Sequence, residues 1–331
     1  MMATASSNPD INDDNFLGIS WAKKIRQMLE MIRFSHSIFA LPFACLSGVW
    51  AVSISNSLTS SSAGQPDSGA TSWMRWIGIL LCMVSARSFA MAWNRLVDSD
   101  IDALNPRTAK RHLPAGILRR TEVQVFAFAN AAFFMTSCLL FLPNPLPIIL
   151  SIPVLIFLAG YSYAKRFLAW VHVWLGAALM LAPICAWIAL RGEVVIADPQ
   201  DLLPATCLGV GVLFWVTGFD IIYACQDADF DKQQGLFSLP AKLGVKNALR
   251  VAAVSHVLMI AVLVGMGFAF ESLSLGPIWF TAIAVIGCVL AVEHWLVSER
   301  DLTKVNIAFF NMNAIISVVL LLAGTIDAFW R

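Results

Sequence analysis

The segment RWIGILLCMVSARSFAMAWNRLVDSDID, residues 75–102, runs without a break from an apolar stretch into a cluster of acids. A helix needs about 20 mainly apolar residues to cross a bilayer, so this segment predicts a membrane helix with acids at one end. The whole chain agrees, because 59% of its 331 residues are hydrophobic and only 13% are charged. Soluble domains are about 45–50% apolar and about 25% charged. Lipid must therefore be part of the solvent of this protein.

Apolar segments of membrane-spanning length recur nine times and predict an all-α membrane protein with nine transmembrane helices. They cover about residues 34–54, 73–96, 122–142, 146–164, 169–190, 202–224, 249–270, 277–297 and 305–328. Residues 1–20 are rich in Ser, Asn and Asp, lack the pattern of a signal peptide and are expected to be a disordered tail. The rest, residues 21–331, is expected to be one membrane domain that begins with a short amphipathic helix over residues 21–31.

The basic residues divide unevenly between the loops and predict the orientation of the chain. Seventeen Lys and Arg residues lie in the N-terminal segment and the loops on its side of the membrane, and three lie on the other side. Loops rich in Lys and Arg face the cytoplasm. The N-terminus is therefore expected inside and the C-terminus outside, in a multi-pass protein of the inner, cytoplasmic membrane.

The first acidic motif is NRLVDSDID, residues 94–102. Asn94, Asp98 and Asp102 are spaced i, i+4, i+8, which places them on one face of a helix with neighbouring Cβ atoms roughly 5–6 Å apart. Two carboxylates and an amide oxygen suit Mg²⁺, which proteins hold with one or two carboxylates plus substrate phosphates. Asp100 points away from this face.

The second acidic motif is FDIIYACQDADFD, residues 219–231. Asp220, Asp227 and Asp231 are spaced i, i+7, i+11 and are expected on one helical face, with Tyr223 beside them. Asp229 lies off that face.

The two motifs form a weak internal repeat. Asp98 and Asp102 recur as Asp227 and Asp231, each 129 residues later, with four predicted spans between. An even number of spans returns the chain to the same side, so both motifs should lie at one membrane face, the cytoplasmic one. Each cluster alone could be a solvated helix end, but an Asp at the centre of a membrane helix costs roughly 2.5–3.5 kcal/mol. Two matched clusters continuing directly from apolar spans favour a shared polar cavity.

A third element, YSYAKR, ends the fourth predicted span on the same side. Tyr161 and Lys165 are spaced i, i+4 and should project together, whereas Arg166 is expected only to mark the cytoplasmic side. The seven cysteines include no CxxC pair and are expected to act as buried small apolar residues. The remaining histidines of the spans, His172, His256 and His294, are expected to be interfacial or core residues without a role.

Together these motifs resemble the UbiA superfamily of intramembrane aromatic prenyltransferases. The matching patterns are NxxxDxxxD from Asn94, YxxxKR from Tyr161 and DxxYxxxDxxxD from Asp220, and the resemblance covers about residues 25–330. It implies a helical bundle around a central cavity, two Mg²⁺ ions, and transfer of a prenyl group from its diphosphate to an aromatic acceptor. Membrane helices would also surround the long apolar tail of such a substrate.

The resemblance and the side-chain chemistry together assign roles. Metal binding is assigned to Asn94, Asp98, Asp102, Asp227 and Asp231. Catalysis is assigned to Asp98, Asp102, Asp227, Asp231, Lys165, Tyr161 and Asp220. Substrate binding is assigned to Asn94, Arg107, Arg111, Tyr223, Arg33 and His36. The arginines of the loop would clamp the diphosphate, since Arg favours bidentate phosphate contacts. The two tyrosines would stabilise an allylic cation by cation–π attraction, and Asp220 would orient Tyr223 or help remove the ring proton.

The acceptor is expected to be an aromatic acid. Its carboxylate would bind Arg33 or His36 at the start of the first span, although Arg33 could equally be an interfacial residue that snorkels to the headgroups. The acidic segments are most similar to the 4-hydroxybenzoate polyprenyltransferase branch of ubiquinone synthesis. Within it they resemble the subgroup of the futalosine route to menaquinone, whose acceptor would be 1,4-dihydroxy-6-naphthoate.

A secondary transporter is the main alternative, because intramembrane acids that face a cavity also couple ion transport and internal repeats are common in transporters. The acids lie near one face rather than at the midplane, which favours the enzyme. The expected partners are polyprenyl diphosphate, an aromatic acid and membrane lipid. The sequence indicates no nucleic-acid partner and no obligate protein partner.

Overall fold

The computed structural model describes residues 23–32, 40–61, 69–299, 301–302, 305 and 312–330, with their side chains except those of residues 56–61 and 69–72. This part of the chain consists of helices and short turns, and its only β-type pairing is one isolated bridge between Ser298 and Asp301. The predicted disordered tail and the start of the first predicted span lie outside the described residues.

The helices are numbered here in chain order. They are α1 (residues 23–31), α2 (Leu41–Ser61), α3 (Gly69–Leu104), α4 (Arg120–Ser137), α5 (Leu146–Ala164), α6 (Val171–Ala197), α7 (Leu203–Ala224), α8 (Ala228–Gln233), α9 (Leu239–Leu243), α10 (Val245–Ala269), α11 (Pro277–Leu296) and α12 (Asn313–Trp330). Short 3₁₀ turns extend or precede several of them, including Cys225–Asp227 between α7 and α8.

Eight helical segments in the described residues are long and apolar enough to cross a membrane. They correspond to α3–α7 and α10–α12, and α2 adds a shorter apolar helix over Leu41–Ser55. Large apolar side chains cover the outside of the bundle, with Trp295 80% and Phe268 75% exposed, as lipid-facing residues would be. The chain is therefore a multi-pass membrane protein, and the all-α prediction is confirmed. A ninth span and the orientation of the two termini stay predictions.

The centre of the bundle is apolar and aromatic. Trp50, Trp187, Trp215 and Trp279 are all fully buried there. Trp215 donates to the Asn313 side chain at 2.7 Å, so its polar N–H is satisfied. All seven cysteines have free thiols, and only Cys288 is exposed rather than at least partly buried.

Helices α6 and α7 approach each other backbone to backbone, because glycine stands where they touch. A Cβ atom on Gly176 would lie 2.5 Å from the carbonyl oxygen of Leu213 and 2.8 Å from Oγ1 of Thr217. A Cβ atom on Gly209 would lie 3.0 Å from the carbonyl oxygen of Met180. Small residues allow such close packing between membrane helices, where no hydrophobic effect drives association. The register between α6 and α7 is therefore set by shape.

An ion pair holds these helices at the end that lies away from the acidic motifs. Arg191 of α6 donates two hydrogen bonds to Asp201 from Nε, at 2.9 and 3.2 Å, and one from Nη2 at 2.5 Å. Its Nη1 donates to Ser55 of α2 at 2.6 Å, and Trp187 donates to the same carboxylate at 2.8 Å. This cluster joins α2, α6 and the turn before α7.

Replacing Gly176 with Ala is expected to lower the thermal stability of the purified protein in detergent. Overpacking typically costs about 1–3 kcal/mol in the free energy of unfolding. The added methyl group would collide with backbone rather than with a flexible side chain. Gly265→Ala is the matched control, since nothing lies within 4 Å of its Cβ position and Ala is the better helix former by about 1 kcal/mol. Equal melting temperatures for the two variants would contradict the close approach of α6 and α7.

Candidate active site

Four segments meet at one end of the bundle: the end of α3, the loop after it, the end of α5, and the segment from the end of α7 through α8. Asn105 donates to Oδ1 of Asp227 at 3.1 Å, and Arg166 donates to the carbonyl oxygen of Val97 at 2.8 Å. The backbone N–H of Phe237 donates to the carbonyl oxygen of Lys165 at 2.8 Å. The two acidic motifs thus lie at the same end, as their repeat predicts.

The first acidic motif lies on one uninterrupted helix. Helix α3 continues to Leu104, and Nδ2 of Asn94 donates to Oδ2 of Asp98 at 2.8 Å, as expected for side chains four residues apart. Both carboxylate oxygens of Asp102 accept from Nη1 of Arg111 at 2.7 Å. Asp100 is exposed, in agreement with its predicted position off the acidic face.

The second motif does not lie on one helix, so the single helical face predicted over residues 220–231 is wrong. Helix α7 ends at Ala224, a 3₁₀ turn follows, and α8 begins at Ala228. The break turns the two parts of the motif in different directions. Asp220 faces α6, where its Oδ2 lies 2.7 Å from Nδ1 of His172, while Asp227 faces the loop after α3.

Arg107 connects the two motifs. Its guanidinium binds both carboxylate oxygens of Asp227, through Nε at 2.8 Å and through Nη2. Its Nη1 donates to the Tyr223 hydroxyl at 2.9 Å, and the guanidinium carbon lies 5.2 Å from the centre of that ring. Burial acts to lower the pKa of Arg107, but the hydrogen bond and charge of Asp227 outweigh it and raise the pKa above its ordinary value.

Lys165 and Tyr161 lie between the motifs. Lys165 interacts electrostatically with Asp98 and with Asp227, so one cation serves an acid from each motif. Tyr161 interacts with the charges of Asp98 and Asp220. Nη2 of Arg166, expected only to mark the cytoplasmic side, lies 4.0 Å from Oδ1 of Asp98. The YxxxKR motif therefore completes the wall of the site.

The donor chemistry of the site fits a hard divalent cation. In the described part of the chain no three Asp, Glu, His or Cys side chains converge as a metal cluster, because arginines hold Asp102 and Asp227. Asp231 is 2% exposed, and its Oδ2 is buried without a hydrogen-bond partner. A buried acceptor left unsatisfied costs about 1–3 kcal/mol, which a bound cation would remove. A metal would thus bind here once the arginines leave the carboxylates.

The sequence profile of the UbiA prenyltransferase family matches residues 38–315. The chain belongs to the UbiA prenyltransferase family. It is therefore an enzyme of the prenyltransferase class, which sets the transporter alternative aside.

This prenyltransferase is similar to proteins of known function and structure. It is 31% identical over 248 residues to a 4-hydroxybenzoate octaprenyltransferase of Dechloromonas aromatica, covering 74% of this chain and 79% of the relative. It is 30% identical to a UbiA homologue of Aeropyrum pernix solved without ligand, with a TM-score of 0.73 over 88% of this chain and 97% of that one. A UbiA homologue of Archaeoglobus fulgidus, solved with DMAPP and Mg²⁺, shares the fold at 19% identity and a TM-score of 0.59, over 89% of this chain and 99% of that one.

The sequence predicted no role for His172 or Arg87. His172 lies at the site, and Arg87 lies on the face of α3 that carries the first acidic motif. His172 contacts Asp220, but a histidine at the start of an apolar helix carries no distinctive sequence signal. Arg87 is seven residues before Asn94 and so lies on the same face of α3. An arginine inside a span is itself a signal of function, and its Nε is buried without a hydrogen-bond partner. Arg33 and His36, the predicted acceptor-binding residues, lie outside the described residues.

Asp227→Asn is expected to loosen the loop after α3 in the substrate-free prenyltransferase. An amide cannot accept both hydrogen bonds from Arg107, and one hydrogen bond to a charged group contributes about 1.5–3 kcal/mol. Amide hydrogen exchange of residues 105–111 should therefore become roughly tenfold faster or more. Asp229→Asn is the matched control, because it makes the same change at an exposed acid two residues away. Unchanged exchange in the Asp227 variant would contradict the tie between the loop and the second motif.

Proposed function

We propose that this enzyme transfers a polyprenyl group from polyprenyl diphosphate to an aromatic acid, with Mg²⁺, at the cytoplasmic face of the inner membrane. The observation that carries the proposal is the meeting of both acidic motifs with Arg107, Arg111 and Lys165 at one end of an apolar bundle. Acids and cations together suit a metal-bound diphosphate, and the bundle suits its tail. The relative named 4-hydroxybenzoate octaprenyltransferase supports an aromatic acid as the acceptor, and the product would belong to ubiquinone or menaquinone synthesis.

The headgroup would bind between the motifs. Asn94, Asp98 and Asp102 would hold one Mg²⁺, and Asp227 with Asp231 a second. Bound Mg²⁺ neutralises the diphosphate and stabilises it as a leaving group. Arg107 and Arg111 now hold carboxylates, and phosphate oxygens offer them an equivalent bidentate partner. The arginines would therefore release the carboxylates and bind the diphosphate. The carboxylate oxygens would then be available to bind Mg²⁺.

The reaction joins C1 of the prenyl group to a carbon of the acceptor ring. The bond between C1 and the diphosphate oxygen breaks, and the diphosphate leaves with the electron pair. The ring then loses the proton from the attacked carbon, and the C–H electron pair restores aromaticity. Tyr161 and Tyr223 would face the cationic prenyl group. Asp220, whose side chain is 18% exposed, would accept the proton.

The acceptor would be held through its carboxylate by Arg87. This arginine lies about 10 Å from Asn94 along α3, toward the middle of the membrane. Its Nε is buried without a hydrogen-bond partner, and a buried donor without an acceptor is costly. Both 4-hydroxybenzoate and 1,4-dihydroxy-6-naphthoate carry a carboxylate that would pair with it. Arg33 and His36 remain candidates for the same role.

Asp98→Ala and Asp227→Ala are each expected to abolish prenyl transfer while the protein still folds, because each removes a proposed metal ligand. Asp100→Ala and Asp229→Ala are matched controls, since both acids are exposed and lie off the site. Turnover is measured in detergent with Mg²⁺, a labelled polyprenyl diphosphate and a panel of aromatic acids, and the product mass identifies the acceptor. Near-wild-type turnover of both site variants at limiting Mg²⁺ would refute the ligand assignment.

Arg87→Gln is expected to raise KM for the aromatic acid about tenfold to a hundredfold, because the acid would lose one hydrogen bond to a charged group. The KM for polyprenyl diphosphate should stay the same, because the headgroup binds elsewhere. Arg87→Lys retains the charge and should lose less. If both Michaelis constants rise together, Arg87 supports the whole site and does not bind the acceptor.

A further inference from the structure

A buried histidine of α6 contacts Asp220, the acid of the site that lies on α7. Nδ1 of His172, in the first turn of α6, lies 2.7 Å from Oδ2 of Asp220. The His172 side chain is 1% exposed, whereas that of Asp220 is 18% exposed. Only the acid can reach a substrate, so the imidazole must act through it.

The contact is built by helix packing rather than by loops. Gly176 lies one turn after His172, and Thr217 lies nearly one turn before Asp220. The Cβ position of Gly176 is 2.8 Å from Oγ1 of Thr217, so no side chain separates the helices beside the pair. The Thr217 hydroxyl donates to Leu213 at 2.7 Å within its own helix. The distance between His172 and Asp220 is therefore fixed by two rigid elements.

The hydrogen bonding of the imidazole decides which ring nitrogen carries the proton. Nε2 of His172 is buried without a hydrogen-bond partner. A proton on Nε2 would be a buried N–H donor without an acceptor, which is costly. The proton belongs on Nδ1, where it is donated to Oδ2 of Asp220. His172 thus holds one oxygen of the carboxylate and leaves Oδ1 for the site.

Asp220 and the first acidic motif both act on one tyrosine. Tyr161 interacts with the charges of both Asp220 and Asp98, so the pair borders the site on the side of the first acidic motif. Arg107, in contrast, holds Asp227 on the far side of the break in the second motif. Asp220 pairs instead with a histidine, His172.

We propose that His172 is a positioning residue, which holds the Asp220 carboxylate in the orientation that accepts the proton lost from the acceptor ring. This inference rests on the proposed function. In the step, the prenyl–ring bond has formed and diphosphate has left. The ring C–H bond breaks, its electron pair returns to the ring, and the proton goes to the oxygen of Asp220 that His172 does not hold.

The test compares His172→Leu and His172→Phe, which remove the donor, with His172→Asn, whose amide places a donor near the position of Nδ1. The donor-free variants are expected to lose about a hundredfold in kcat, the lower range of general-base contributions. Their KM for polyprenyl diphosphate should stay within about twofold of wild type, because the change affects the transition state and not the binding of the substrate. His172→Asn should recover most of the turnover.

A ring-deuterated acceptor separates positioning from a merely structural role. If His172 aims the base, proton removal becomes slower in the donor-free variants and their deuterium isotope effect on kcat rises above that of wild type. Addition of Asp220→Asn to His172→Leu should cause little further loss, because the two residues act as a unit. His256→Leu is the control for loss of a buried histidine, since His256 pairs with His294 at 2.9 Å, and its kcat should match wild type.

Wild-type kcat in a folded donor-free variant, or an unchanged isotope effect, would overturn the proposal. Loss of folding in both donor-free variants would also overturn it, because the contact would then be a structural tie between α6 and α7. Absence of any product from the wild-type enzyme with every aromatic acid is a different result. That outcome would refute the proposed function itself.

Discussion

Carboxylates at the end of a helical bundle in lipid must be neutralised, and the rest of the site depends on how this chain does so. Removing an ionised carboxylate from water costs several kcal/mol unless a partner compensates it. Arg111 pairs with Asp102 of the first motif, and Arg107 pairs with Asp227 of the second. Both arginines come from one loop, which follows directly on α3. The loop therefore compensates two buried acids and fixes the distance between the helices that carry them.

The same pairing explains why the acids do not converge as a metal cluster in the described part of the chain. If the enzyme works as proposed, each arginine binds a carboxylate that would otherwise hold a divalent cation. A diphosphate brings about three negative charges and offers the arginines a new partner of similar geometry. Carboxylates, arginines, metal and diphosphate can then exchange partners without leaving an isolated charge in a low-dielectric site. The Oδ2 of Asp231 is buried without a hydrogen-bond partner, so a bound cation would compensate it.

Close packing of α6 against α7 keeps side chains in fixed positions, whereas ion pairs can exchange partners. Helices α6 and α7 touch at Gly176, where even one methyl group would meet backbone at 2.5 Å. At their other end Arg191, Asp201 and Trp187 form a hydrogen-bonded cluster. Side chains on two helices held at both ends keep their mutual positions, and His172 and Asp220 are such a pair. The site thus combines a loop whose contacts can exchange with a helix pair whose contacts cannot.

Composition and periodicity alone determined that this is a helical membrane protein with acids at one end. An apolar excess needs no knowledge of packing, and Asn94, Asp98 and Asp102 lie on one helix whose geometry is local. The repeat also placed both motifs at the same end, since an even number of spans preserves direction. Helix propensity did not reveal the turn at Cys225–Asp227, which separates Asp220 from Asp227. Only the tertiary structure decided that Arg107 holds Asp227 across 120 residues and that His172 stands behind Asp220. Both contacts join distant segments, and side-chain spacing along one helix carries no information about the helix that packs against it.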